Sequence, residues 1–307
     1  MSTDQRPASQ PGTGHPGAGE AGTDLPGAQL RGIGQLVKPA GGGFPALLTY
    51  SVIADRRYLK VSLLSQLLAP IAYLLALGVG LGGVINHSGG ASSLGTSYLS
   101  FIAPALVAAT ALQIGVGEAT YPILHGGFKY QRTYFAMNAT PLTSGQIAGW
   151  TLCWMTIKIA VSATSYLIIV ACFGGWRSAG ALLCIPLATI GALALTAPLA
   201  AYSATIRDEG SSFATIFRFV VMPMFLFSGT FYPISALPHW FRVLAWISPL
   251  WHATELSRWV ALGPLHLSSG VGSLSPGLVV AHLLCLLVPA AIGVRLTLWR
   301  FDVRLTE

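Results

Sequence analysis

Long runs without a single Asp, Glu, Lys or Arg divide this chain. Residues 61–117 hold none, and neither do 133–157, 159–176, 178–206, 219–241 or 259–294. A helix that crosses the hydrocarbon core of a bilayer needs about 20 mostly apolar residues. The first run, 57 residues long, has room for two such helices and a loop, and the remainder of the chain for four more. Six spans are therefore expected, at about 61–83, 98–118, 146–173, 178–204, 212–231 and 276–298. Only 9% of the residues are charged and 53% are hydrophobic, against roughly 25% charged in an ordinary soluble domain. Water-exposed surface must be mostly polar, so a soluble globular fold, a coiled coil or a fibre is excluded. The expected class is an all-α polytopic membrane protein.

The net charge of +7 comes from basic residues scattered between apolar runs. They form no dense stripe, so a nucleic-acid partner is not expected. Their distribution instead sets orientation. With the N-terminus inside, Arg56, Arg57, Lys60, Lys129, Arg132, Arg207, Arg218, Arg295, Arg300 and Arg304 fall on the inner side. Only Arg177, Arg242 and Arg258 fall outside. Both termini are thus expected in the cytoplasm of a bacterial plasma (inner) membrane. Residues 1–45 contain 17 Gly or Pro and read as a disordered cytoplasmic tail. Residues 46–60, with Leu47, Leu48, Val52, Ile53 and Leu59 at helical spacing, read as an amphipathic helix on the inner membrane surface. The four cysteines all lie in apolar runs without metal spacing, so no disulfide framework, metal or bound cofactor is expected. No GxxxxGK[ST] motif occurs, so ATP binding by a P-loop is not expected of this chain, and neither is catalysis.

Three regions carry information. The inner stretch 119–145 is long for a link between two spans and holds aromatics, Lys129, Arg132 and a helix stop at Pro141. A short interfacial helix over about 128–138 fits it, either as a docking element or as a snorkelling loop. The outer stretch 228–258 has two apolar segments, near 236–247 and 249–262, too short to span and broken by Pro233, Pro238 and Pro249. Segments of that length read as interfacial or re-entrant. Within it His252, Glu255 and Arg258 share one helix face, which favours an ion-pair and hydrogen-bond network over a metal or catalytic pair. The third feature is Lys158, in the middle of the third span. It is either a charged wall of a transport path or a lysine paired with an acid or a carbonyl on another span. Glu118 qualifies as its partner if the helices place both at one depth.

The stretches PIAYLLALGVGLGG (70–83), FKYQRTYFAMNATPLTSGQIAG (128–149) and FLFSGTFYPISALPHWFRVLAWISPLWHATELSR (225–258) resemble ABC-2 type transporter permeases. The resemblance is to the nodulation lipo-oligosaccharide exporter permeases, with daunorubicin-type drug exporter permeases as cousins, and covers about 46–304. It implies a six-span half-channel without catalytic residues, paired with a second copy or a related permease and with cytoplasmic ATPase subunits that bind the ATP. Lys129, Gln131, Arg132, Thr133 and Tyr134 would then belong to the coupling helix that seats in the ATPase. His252, Glu255 and Arg258 match the family's His, acid and Arg, and Lys158 matches a family lysine. Where relatives carry an acid after the Gln-Arg-Thr-Tyr run, this chain has Phe135. The implied function is export of a lipid-linked saccharide or a hydrophobic drug-like compound. A gradient-driven carrier using Lys158 and Glu118 is the alternative.

Overall fold

The computed structural model describes residues 43–56, 68, 71–87, 96–176, 178–263 and 275–307. The Gly/Pro-rich tail up to residue 42 lies outside the described residues, as do Arg57, Lys60, Arg177 and residues 61–67, 69 and 70 of the expected first span. Among the described residues every regular element is helical, and all fall within one compact unit, Pro39–Glu307.

In chain order, α1 is Gly43–Asp55 and α2 is Ile71–Ile85, with a π-helical stretch at Leu74–Leu81. Helix α3, Tyr98–Ala119, continues through a one-residue break into a π-helical turn at Pro122–Lys129. Helix α4 is Thr133–Asn138 and α5 is Ser144–Cys172. A 3-10 turn at Ala179–Leu183 leads into α6, Cys184–Thr205. Helix α7 is Ser211–Phe227. Helices α8, His239–Ile247, and α9, Pro249–Leu262, meet at Ser248, and α10 is Pro276–Thr306.

Among the described residues four segments are long and apolar enough to cross a bilayer: Tyr98–Lys129, Ser144–Cys172, Ala179–Thr205 and Pro276–Thr306. They correspond to the expected spans 2, 3, 4 and 6. The described part of span 1 is the apolar helix Ile71–Ile85, and span 5 is a shorter apolar helix, Ser211–Phe227. At about 1.5 Å per residue, the latter falls short of a hydrocarbon core of about 30 Å. Its helix stops at Phe227 because Gly229 adopts φ +70 and turns the chain. The last helix runs past the expected end at 298 to Thr306, because its final two turns pack inward through Phe301 and Leu305.

Helix α3 is buried on almost every side. It can be central because it is rich in Ala and Gly, and small residues let helix backbones approach where no water drives them together. A side chain at Gly115 would collide with Thr196 of α6 and Ile159 of α5. Helices α6 and α10 meet still more closely: a Cβ at Gly293 would overlap the Pro198 ring and the Ala197 backbone. Polar groups seal these contacts. Thr297 donates to Ala197 O at 3.0 Å, and Ser203 donates from α6 to Ala119 O at 2.6 Å. Gly78 and Gly82, which form a GxxxG in the sequence, lie against Leu99 and Tyr98 of the same chain.

Candidate functional site

The loop between α3 and α5, expected on the inner side, is built by a sequence of stops. The π-helical turn ends when the N–H groups of Tyr130 and Gln131 both bond His125 O, at 2.9 and 3.1 Å. Arg132 then takes φ 51, ψ 31, the one left-handed non-glycine residue among those described. That conformation is costly for a residue with a Cβ. Its guanidinium stacks 5.0 Å from the Phe135 ring. Helix α4 follows, and α5 opens with a reciprocal cap: Gln146 N donates to Thr143 Oγ1 at 3.2 Å, and Thr143 N donates to Gln146 Oε1 at 3.0 Å. The expected helix over 128–138 is thus two pieces hinged at Arg132.

The five residues expected for docking divide in two. Gln131 and Arg132 are exposed and Thr133 is half-buried. Tyr134 points inward, only 6% exposed, against Phe128 at 4.9 Å and Phe301 at 5.1 Å. Burial pushes its phenol pKa up. Gly127 is required there, since a Cβ would overlap the Tyr134 ring. Lys129 is engaged within the chain, donating to Glu209 Oε1 at 2.6 Å, while Tyr130 donates to the other carboxylate oxygen. The Lys129 hydrogen bond, then that from Tyr130, holds the Glu209 carboxyl below its usual value, and Glu209 in turn raises the Tyr130 phenol. Among the described residues the tip therefore presents one cation without an ion-pair partner, Arg132. Glu209 was visible in the sequence only as part of a short charged loop; nothing local to it indicated the link.

Lys158 pairs with Glu118 at 2.9 Å and with Asp55 at 3.0 Å. The helices do place Lys158 and Glu118 at one depth. Asp55, absent from the sequence expectations, comes from the surface helix α1. It also accepts from Trp154 Nε1 at 3.0 Å, and one turn away Trp150 Nε1 donates to Ser51 Oγ at 2.7 Å. Trp150, Trp154 and Lys158 recur every four residues on α5, and Ser51 and Asp55 do so on α1. That matched spacing is the signal a sequence reading could have used. The three charged side chains are partly buried, with 26–34% of their surface exposed, and the two carboxylates offset the cost of a charge within an apolar helix.

On the outer network, Arg258 is fully buried. Its Nε donates to Phe101 O at 3.1 Å, its Nη2 to Gly229 O at 2.6 Å and Thr230 O at 3.2 Å, and its Nη1 to Glu255 at 3.3 Å. The guanidinium also lies 3.8 Å from the Phe101 ring. One cation thus ties α9 to α3 and to the turn after α7. His252 does not join this pair. It bonds His282 of α10 at 2.8 Å and Trp246 O at 2.9 Å. Among the described residues no group of three metal-ligating side chains converges.

The model of the ABC-2 type transporter family matches residues 44–262. The chain belongs to the ABC-2 type transporter family. It is similar to nodulation protein J of Rhizobium leguminosarum bv. viciae, 30% identical over 75% of this chain and 87% of that protein. The nodulation protein J of R. leguminosarum bv. trifolii is 29% identical over 80% of this chain and 87% of its own length. That of Rhizobium meliloti (strain 1021) is 28% identical over 77% and 88%. This ABC-2 chain is accordingly a multi-pass membrane permease of the exporter type.

Proposed function

We propose that this permease moves a lipid-linked saccharide or a hydrophobic compound outward across the bacterial inner membrane, powered by a separate cytoplasmic ATPase. The observation that carries this is the inner loop. Its left-handed hinge at Arg132 holds an exposed cation and Gln131 at the tip, and α3 and α5 leave that tip on either side. A partner that pushes on the tip moves both helices. Lys158 joins the same two helices deeper down, and Asp55 adds α1 to the unit. In this account Lys158 and Glu118 hold the moving helices together. The termini are cytoplasmic, a second permease copy completes the path, and α8 and α9 sit re-entrant at its outer end. The largely apolar lining of such a path favours a greasy cargo over an ion.

The experiment is purification of the tagged chain from its native host in a mild detergent, with identification of what accompanies it. A stoichiometric cytoplasmic ATP-binding cassette protein is expected. A folded permease that carries none, and that moves solute in liposomes on a proton gradient alone, would replace this account with a gradient-driven carrier.

A further inference from the structure

The buried histidine pair joins three elements, and its hydrogen bonds fix its protons. A carbonyl only accepts, so the Nε2 that meets Trp246 O carries the hydrogen of His252. A neutral imidazole has one N–H, so His252 Nδ1 is a bare acceptor. The nitrogen 2.8 Å from it, His282 Nδ1, must then be the donor. The remaining lone pair of the couple is on His282 Nε2. One added proton fits there without disturbing either bond. A second has only His252 Nδ1 to occupy, and that places N–H against N–H at hydrogen-bond distance.

We propose that His252 and His282 form a proton-binding clasp that takes one added proton and opens on the second, releasing the α8–α9 pair from α10. Among the described residues the surroundings offer no free anion to stabilise a doubly charged pair. On α9, Glu255 is already engaged by Arg258 at 3.3 Å. On α8, Arg242 is cationic and bonds Leu237 O and Ser235 O, and His239 is exposed. On α10 itself the next charge along is Arg295. From α6 comes Cys184, held on Ser257 O, and from α3 comes Tyr98, donating to Phe231 O. Helix α7 contributes Arg218, near its opposite end. The rings are 8% and 6% exposed, with Trp251 packed about both, at 4.9 Å and 5.0 Å. A charged pair cannot remain in that enclosure, so opening relieves both the repulsion and the burial.

The test is hydrogen–deuterium exchange of the full chain in lipid nanodiscs at about pH 7.5 and about pH 5, either side of the ordinary histidine value of about 6.5. Rates are corrected for the intrinsic effect of pH. Exchange across 239–262 should rise at least about tenfold at the lower pH while α3 stays protected. His282→Phe, which keeps a ring and removes the donor, should exchange at both pH values as the wild type does at the lower one. Equal protection of 239–262 at the two pH values in the wild type would overturn the clasp. So would a loss shared equally by α3, or a His282→Phe chain that keeps the wild-type pH response. If His282→Phe fails to fold, the wild-type comparison decides alone.

Discussion

A lysine in the middle of a 29-residue apolar helix survives because two carboxylates reach it. Removing the lysine leaves Asp55 and Glu118 facing each other without a cation. Lys158→Met should therefore destabilise the permease by about 1–3 kcal/mol, between the values for exposed and fully buried pairs. The double change Lys158→Met with Glu118→Gln should lose less than the sum of the two alone. Thermal unfolding in detergent measures both. At Arg258 the enclosure is complete. Arg258→Met would strand Glu255 and three carbonyls, a loss of about 3–5 kcal/mol, seen as a permease that fails to accumulate in the membrane. Arg258→Lys should rescue little, since one ammonium cannot reach donors spread over a planar fork. The sequence marks Lys158, Glu118 and Arg258 as unusual because charge is rare in such runs. It hides Asp55 and His282, whose importance comes from partners 103 and 30 positions away.

At the scale of elements, close helix approach decides what substitutions the bundle accepts. Gly293→Ala should cost about 1–3 kcal/mol, because the added methyl meets backbone that cannot yield. Gly149→Ala in α5 meets nothing within 4 Å and should instead stabilise by about 0.5–1 kcal/mol through helix propensity. Comparing their melting temperatures checks both signs. The Lys129–Glu209 link between the inner loop and the α6–α7 connection has its own pH behaviour. A carboxyl held below its ordinary value contributes above that value and loses the contribution as pH falls through the lowered one. Exchange protection of residues 122–138 should thus stay flat from neutral pH to about pH 5, and Glu209→Gln should lower it at neutral pH. The positions of α3, α5, α6 and α10 were legible from charge-free runs. The shortness of α7 was not, because its end is set by a left-handed glycine inside a run that stays apolar beyond it. The hinge at Arg132 was equally hidden: nothing in Gln131-Arg132-Thr133 announces a positive φ.

For the whole molecule, force would enter at the tip of the loop between α3 and α5 and pass to α3, α5 and, through Asp55, α1. Three elements would then move as one body, and α3 would pass the motion on to α6, which it grips at Gly115 and Ala119 and which close glycine and proline contacts fix to α10. The most direct measurement places a photo-crosslinking amino acid at Gln131 and, as a control, at Phe219, which is exposed on α7. Irradiation is carried out in native membranes. Crosslinks from position 131 to a single cytoplasmic ATP-binding cassette protein, weakened by Arg132→Glu and absent from position 219, are the predicted result. A position 131 that labels only lipid, or labels the same proteins with Arg132 intact or reversed, would contradict the claim that this loop is where the permease receives its power.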